Sequence, residues 1–358
     1  MRVLILLLLT FGMHASCTRV DEIPVRFIGE QTDVHSLSSF SDKVEHIPLR
    51  MRDDFVLGGV SDVRCWDNNW YIFDKRGRNA VFVYDSAGFP LYSYTRRGRA
   101  AGEYSRLESF DVSPDFGYVC LVCHENKIIV LDETLNFKRE YLTESYTYVR
   151  AAWYAGGILL FDYQASAIDF LNLETGDVKR IFEAVKDKYN VFNHEPVFMR
   201  AGERLFFHTE TDDHIYEISD ELEVEPLIRL EYQDDKKIQR YYRNNVGDNL
   251  KLSQRLQYIR PKVNFIVPQH DDEYILGYTY KLERINMYVD KLCCDFPIAT
   301  FGSMFTEGMI VGVVGARNYT RDIFKQITSD VVVDYAELTD EDKESGNPVL
   351  LIHHLKKG

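Results

Sequence analysis

Short apolar segments recur along the chain from about residue 60 onwards, separated by turns rich in Gly, Asp and Asn. They are rich in Val, Ile, Tyr and Phe, which is typical of β-strands. The clearest begin with WYIFD at Trp70, YVCLV at Tyr118, ILLFD at Ile158, LFFHT at Leu205, YILGY at Tyr274 and MIVGV at Met309. Their starts lie 48, 40, 47, 69 and 35 residues apart, and four-stranded propeller blades repeat about every 40 to 50 residues. The pattern predicts an all-β fold, a six-bladed β-propeller.

Two further segments complete this prediction. Residues 234–260 are polar and have apolar positions at helical spacing, so we expect a helical insertion between blades four and five. Residues 43–51, KVEHIPLRM, alternate as a strand before the first complete blade. We expect this segment to pair with the C-terminal strand PVLLIHHLK and complete the last blade, which removes an open sheet edge.

The N-terminus has the layout of a signal peptide. An apolar run follows Arg2, and the small residues Ala15 and Ser16 precede Cys17. The run is far shorter than the ~20 residues that a membrane-spanning helix needs. Ala15-Ser16-Cys17 resembles the lipobox of bacterial lipoproteins, whose cysteine receives a diacylglyceryl group, although an aliphatic residue is usual where His14 stands. The alternative is an ordinary secretory leader with a chance cysteine.

The lipobox gives the predicted domain organisation. Residues 1–16 form the signal peptide, residues 17–41 a tether and residues 42–358 the propeller. With Cys17 lipidated, the protein would be anchored to the outer membrane, on its periplasmic side or its surface, without spanning it. The five other cysteines are predicted to be buried small hydrophobes, because Cys120 and Cys123 lie three apart on a strand and therefore on opposite faces.

The charge balance limits the classes of partner. The chain has 42 Lys and Arg against 56 Asp and Glu, a formal net charge of −14. A surface that binds nucleic acid needs a positive field, so no nucleic-acid partner is expected. Because the net charge is negative, any site for anions must be a local patch. Aromatic residues make up 13% of the chain, enough for a large core.

A cluster of cations stands out against this acidic background. In the usual strand order of a propeller, the loops between second and third strands and the connections between blades emerge on one face. Lys75 lies in the first kind of loop, and five candidate ligand-binding arginines lie in the two loops of blade one: Arg76, Arg78, Arg96, Arg97 and Arg99. Guanidinium groups suit carboxylate, sulfate or phosphate. The alternative is that these arginines are solvated or pair with carboxylates of adjacent blades.

The same face is expected to carry other candidate residues. His124, Tyr163 and Gln164 are candidate ligand-binding residues from blades two and three. His208, Asp212 and His214 have the residue types of a metal site, although the stretch also fits a polar hairpin turn. No cofactor is predicted and no catalytic residue is assigned, since Walker, GxSxG, HExxH and paired CxxC motifs are absent from the sequence.

Three segments carry a resemblance to a known family: VEHIPLR at 44–50, NAVFVYDSAGFPLYSYTRRGRAAGEY at 79–104 and SGNPVLLIHHLKK at 345–357. The chain resembles the six-bladed β-propeller lipoproteins of Gram-negative gut-type bacteria, which are related to NHL-repeat propellers. The family commonly shows Gly-x-Gly-Pro-Gly-Glu-Tyr at residues 98–104, where Ala100 and Ala101 replace the second Gly and the Pro. The resemblance implies fold and location, but most members have no assigned activity.

Two functions remain open from the sequence. The first is an envelope-anchored binding or scaffold propeller that recognises a glycan, a peptide or an envelope protein through its loop-rich face. The alternative is a propeller hydrolase or lyase that acts on a polysaccharide or peptide, since such enzymes assemble their sites from several blades. The resemblance implies this alternative because related NHL-type propellers include a lyase.

Overall fold

The computed structural model describes thirteen stretches of the chain: residues 23–28, 41–50, 52, 55–184, 197–208, 214–232, 262–268, 274–279, 286–289, 292–295, 305–306, 308–319 and 331–356. The predicted signal peptide, Cys17, the helical insertion at 234–260 and Asp212 lie outside these residues. The described strands form six β-sheets, as the strand spacing predicted.

Two strands precede the first blade, β1 (Val25–Ile28) and β2 (Ser41–Pro48). The first sheet contains β3 (Asp62–Trp66), β4 (Asn69–Asp74), β5 (Ala80–Tyr84) and β6 (Pro90–Tyr94). The second contains β7 (Leu107–Val112), β8 (Val119–Cys123), β9 (Lys127–Leu131) and β10 (Phe137–Leu142). The third contains β11 (Tyr148–Tyr154), β12 (Gly157–Asp162), β13 (Ala167–Asn172) and β14 (Val178–Glu183). In each, successive strands are antiparallel neighbours.

The remaining sheets continue this order. The fourth contains β15 (Val197–Ala201), β16 (Arg204–His208), β17 (His214–Ile218) and β18 (Val224–Tyr232), and β1 lies parallel to β18 at its edge. The fifth contains β19 (Lys262–Pro268), β20 (Tyr274–Thr279), β21 (Asn286–Val289) and β22 (Leu292–Asp295). The sixth contains β23 (Phe305–Thr306), β24 (Met309–Gly315), β25 (Val332–Asp334) and β26 (Pro348–Leu355) together with β2. A 3₁₀ helix (Ala316–Asn318) and α1 (Asp340–Ser345) connect strands of this last sheet.

Where the structure describes the side chains, neighbouring sheets pack face to face. On β4, Trp70 and Ile72 pack towards the sixth sheet, whereas Tyr71 and Phe73 pack towards the second. This alternation follows from the two-residue period of a strand. The first strands β3, β7 and β11 contact one another in sequence, so they lie next to the axis. The aromatic residues therefore fill the spaces between radially arranged sheets.

The cysteine prediction is confirmed for the second sheet. Cys120 is in the core between the second and third sheets, and Cys123 is in the core between the first and second. The two thiols therefore lie on opposite faces of β8. Burial raises the pKa of both thiols, which keeps them protonated.

The predicted closure of the last blade is also confirmed. β2 pairs antiparallel with β26, from Ser41 opposite Leu355 to Pro48 opposite Val349. Arg50, just after β2, forms an ion pair with Asp342 of α1. The N-terminal strand therefore joins the two ends of the propeller.

Candidate functional site

The turn after β4 is organised by a buried carboxylate. Asp74 is fully buried and accepts hydrogen bonds from the backbone nitrogens of Gly58 at 2.7 Å, Gly77 at 2.7 Å and Arg78 at 3.0 Å. A Cβ at Gly77 would lie 2.4 Å from the Cα of Gly58, so the close approach requires glycine. The backbone that carries Arg76 and Arg78 is therefore fixed.

The connection between β6 and β7 is held against the same turn. The hydroxyl of the buried Tyr104 donates to the carbonyl oxygens of Asn79 at 2.9 Å and Tyr94 at 3.2 Å. The Asn79 side chain donates to the carbonyl of Leu107 at 2.9 Å and accepts from its amide at 2.8 Å. Burial raises the pKa of Tyr94 to about 12, and its hydroxyl donates to the carbonyl of Gly102. The two loops form one rigid unit.

We call the surface formed by the five arginines of these loops the basic face: Arg76, Arg78, Arg96, Arg97 and Arg99. All five side chains are exposed. Arg97 donates to the carbonyl oxygens of Arg78 at 2.7 Å and Ser105 at 3.2 Å, and the Arg96 guanidinium lies 6.0 Å from the centre of the Tyr94 ring. Within the described stretches, none of the five forms an ion pair with a carboxylate.

The neighbouring cations behave differently. The Nζ atom of Lys75 lies 3.1 Å from Glu108 Oε2, and Arg106 Nε lies 3.0 Å from Glu108 Oε1. His124 is exposed and its Nδ1 atom lies 3.6 Å from Glu108 Oε1, so it adjoins the basic face. Carboxylates are therefore present at the edge of the face but do not neutralise it.

Tyr163 and Gln164 lie in the corresponding turn of the third sheet. Tyr163 is partly buried against the core between the third and fourth sheets. Gln164 is exposed, and its backbone nitrogen donates to Asp162 Oδ1 at 3.0 Å. No contact of the described residues joins either side chain to the five arginines. Their role in ligand binding stays a prediction.

The structure describes two of the three metal candidates, His208 and His214. His208 is buried, and its Nδ1 atom lies 3.0 Å from the backbone oxygen of His214. The described part of the chain contains no group of three or more His, Cys, Asp or Glu side chains that could hold a metal ion. Asp212, the third residue of the candidate set, lies outside it.

A cavity lies beside the first strands, near the axis, and we call it the channel cavity. It has a volume of about 440 Å³ and is lined mainly by the first strands of the sheets. Its lining includes Arg64, Trp66, Asp67, Asp111, Phe198 and Arg200. Asp67 lies in the hairpin between β3 and β4, at the opposite end of β4 from the turn that carries Arg76. The cavity is therefore displaced towards the face opposite the basic face.

Hydrogen bonds connect four successive first strands beside this cavity. Arg64 donates from Nη1 to Asp62 at 2.6 Å and from Nε to Asp111 at 2.7 Å. Asp111 accepts from the backbone nitrogen of Trp153 at 2.8 Å, and Arg200 donates to the carbonyl of Trp153. Burial lowers the pKa of Arg64, but the two carboxylates raise it by more. The guanidinium therefore stays protonated.

The carboxylate of Asp111 should be important for stability. In the variant Asp111→Leu, Arg64 Nε and the Trp153 amide lose their acceptor, and we expect the free energy of unfolding to fall by about 3 kcal/mol. The triple variant Asp62→Asn/Arg64→Met/Asp111→Leu should recover part of this loss because it also removes the buried Asp62 charge, which is paired with Arg64. Urea unfolding followed by circular dichroism measures both. A triple variant that is less stable than Asp111→Leu would contradict this account.

Sequence reasoning missed the channel cavity because its members lie some 40 residues apart and each appears as one polar residue in an apolar strand. A charge within a strand that is otherwise buried is itself a signal, since an unpaired charge is costly there. Asp111 in LESFDV has this pattern, and Arg64 follows the buried Asp62 and Val63 in DVRCW. It could have identified both residues as neighbours near the axis.

Fold and sites together define a six-bladed propeller with one basic loop face and one axial cavity. The DUF5128 family, described as a 6-bladed beta-propeller, matches residues 15–259. The chain belongs to this family. No curated protein matches the chain.

Solved structures support the same fold. A protein named as exported, from Bacteroides fragilis NCTC 9343, is similar with a TM-score of 0.63 at 15% identity over 93% of this chain and 100% of that one. A DUF4221 member from Bacteroides vulgatus ATCC 8482 has a TM-score of 0.52 at 12% identity over 91% and 99%. Virginiamycin B lyase from Staphylococcus aureus has a TM-score of 0.44 at 14% identity over 72% and 71%, from which nothing about this chain's chemistry follows. In the part of the chain that is described, no helix is long and apolar enough to span a bilayer.

Proposed function

We propose that the protein is a binding propeller whose basic face recognises a ligand with several carboxylate, sulfate or phosphate groups, either an acidic glycan or an acidic peptide. The observation that carries the proposal is that five exposed guanidinium groups on adjoining loops have no carboxylate partner among the described residues. Elsewhere, Arg180 and Arg204 are paired with Asp169 and Glu217.

The rigidity of the two loops supports the proposal. Asp74 fixes the turn that carries Arg76 and Arg78, and Tyr104 holds the connection that carries Arg97 and its neighbours. Because the backbone of both loops is already held, a bound ligand has to order only the arginine side chains, which reduces the loss of conformational entropy on binding. Guanidinium groups also form bidentate hydrogen bonds with carboxylate, sulfate and phosphate. Charge and preorganisation both favour an anionic ligand.

The membrane anchor is the second part of the proposal. The lipobox-like Ala15-Ser16-Cys17 supports lipidation of Cys17 and attachment to the outer membrane. We expect wild-type protein to fractionate with membranes and a Cys17→Ala variant to lose this association. Mass spectrometry of the mature N-terminus checks the result, and a wild-type N-terminus without a diacylglyceryl group would contradict it.

Binding to defined polyanions tests the ligand class. Heparin oligosaccharides represent sulfated glycans, poly-L-glutamate represents acidic peptides and dextran is the neutral control. We expect calorimetry to show saturable binding of one polyanion that weakens as NaCl is raised. The variant Arg76→Gln/Arg99→Gln should weaken binding about tenfold, a loss of about 1.4 kcal/mol. Neither side chain has a hydrogen bond or ion pair to the described residues, so the fold should be unaffected.

The control removes the same charge from another part of the surface. Lys138 and Lys179 are exposed on the outer strands β10 and β14. The variant Lys138→Gln/Lys179→Gln should bind the polyanion as the wild type does. Equal weakening by the two double variants would show that net charge matters and the basic face does not. Absence of binding to both polyanions would also refute the proposal.

A further inference from the structure

The channel cavity differs chemically from the basic face. Among the described residues, its lining contains two cations, Arg64 and Arg200, and two carboxylates, Asp67 and Asp111. The guanidinium of Arg64 is already in contact with the carboxylates of Asp62 and Asp111. An anionic ligand would therefore find no excess of positive charge among these residues, whereas an uncharged ligand would keep the local balance.

Both the cations and a carboxylate of the cavity have hydrogen-bonding groups that the described residues do not use. The Nη2 group of Arg64 and the Nε and Nη1 groups of Arg200 make no hydrogen bond to the described residues, although the rest of each guanidinium is held in place. The exposed Asp67 carboxylate accepts no hydrogen bond from them either. The cavity thus offers guanidinium donors from the first strands β3 and β15 and a carboxylate acceptor from the hairpin between β3 and β4. A ligand that both donates and accepts would satisfy them.

Two aromatic side chains contribute to the apolar part of the cavity lining. Trp66 and Phe198 line it. Gly117 lies against Trp66 so closely that a Cβ at this position would be 2.5 Å from the ring. The same hairpin exposes 65% of Phe116 and 37% of Tyr118, with ring centroids 5.9 Å apart. Exposed aromatic surface of this kind is typical of binding sites.

We propose that the channel cavity is a second binding site, which takes an uncharged polyhydroxylated ligand such as a neutral mono- or disaccharide. Each sugar hydroxyl donates one hydrogen bond and accepts two, which suits a set of guanidinium donors beside a carboxylate acceptor. The C–H face of a sugar ring packs on the flat face of Trp66 or Phe198. The volume of about 440 Å³ is within the usual range for small-molecule pockets.

The second site is independent of the proposed function. The cavity is displaced towards the face opposite the five arginines, and it shares no residue with them. Substitutions at one site should therefore leave the other unchanged. Failure of polyanion binding at the basic face would not affect this proposal, and failure of sugar binding would not affect the other.

The experiment is a titration of the folded protein with neutral sugars and their acids. Glucose, galactose, mannose, N-acetylglucosamine, maltose and lactose are the neutral probes, and glucuronate and galacturonate are the anionic ones. We expect saturation-transfer NMR and calorimetry to show saturable binding of at least one neutral sugar at concentrations up to about 10 mM. The corresponding uronate should bind no more tightly. The comparison needs no variant and so does not depend on the folding of one.

Two variants locate the binding. Arg200→Met removes a guanidinium but keeps the apolar stem, and it should weaken sugar binding about tenfold. The basic-face variant Arg76→Gln/Arg99→Gln should leave the affinity unchanged, and heparin oligosaccharide should not compete. The proposal is overturned if none of the neutral sugars binds, if the uronate binds more than about tenfold more tightly, or if a well-folded Arg200→Met protein binds as the wild type does.

Discussion

A variant that begins at Arg52 should lose cooperative folding, whereas a variant that begins at Ser41 should keep it. The first lacks β2 and the second retains it, and both lack β1, so their difference isolates the closing strand. Without β2 the edge of β26 is unpaired over its whole length, and the buried Val44 and Leu49 are missing. We expect a loss of more than about 5 kcal/mol, comparable with the total stability of many domains.

Thermal unfolding followed by circular dichroism checks this prediction. The variant beginning at Ser41 should show one sharp transition, and the variant beginning at Arg52 should show none or should aggregate through its open edge. Adding a synthetic peptide that contains β2 should restore part of the transition. Two variants with the same melting temperature would show that the ring does not depend on its N-terminal strand.

The second large effect is the pH dependence of stability due to His353. This residue of β26 is fully buried, and burial, together with His46 and His354, lowers its pKa to about 3. In the unfolded chain the pKa is about 6.5, so the unfolded chain binds the proton first as the pH falls. Stability should therefore decrease from about pH 6.5 towards pH 3, with a slope of up to about 1.4 kcal/mol per pH unit from this group.

Urea unfolding between about pH 7 and 5 measures this slope before most carboxylates titrate. His353→Phe keeps an aromatic ring of similar size and should give a shallower slope. The matched control is His354→Gln, because His354 is half-exposed on the opposite face of the same strand and bonds to Glu45 at 2.8 Å. It should keep most of the wild-type slope. An unchanged slope in His353→Phe would show that His353 does not cause the acid sensitivity.

Much of the fold could be predicted because the decisive signals are local. The second strand of each sheet is a compact apolar segment bounded by turns. In β4, NWYIFD, both faces of the strand are buried. The pairing of β2 with β26 followed from the need of a ring to close. The parallel strands β1 and β25 were not predicted, because edge pairing of that kind requires no particular turn or spacing.

The candidate sites also differ in how far the sequence predicts them. The basic face could be predicted because its arginines lie within 24 residues of one another, from Arg76 to Arg99, and propeller topology brings their two loops together. The sequence could not predict that these arginines lack carboxylate partners. Glu103 and Glu108 are close to them in sequence, but in the structure both carboxylates contact other groups. The channel cavity depends on first strands from four sheets, and only the folded ring brings Arg64 and Arg200 to one cavity.

The most direct test of the central claim, that the basic face binds a polyanion, is NMR of arginine side chains. The Nε–H signals of Arg76, Arg97 and Arg99 should shift when the bound polyanion is added, because their guanidinium groups contact it. Those of Arg180 and Arg204, which are paired with Asp169 and Glu217, should not shift. Shifts confined to arginines outside the basic face would contradict the account.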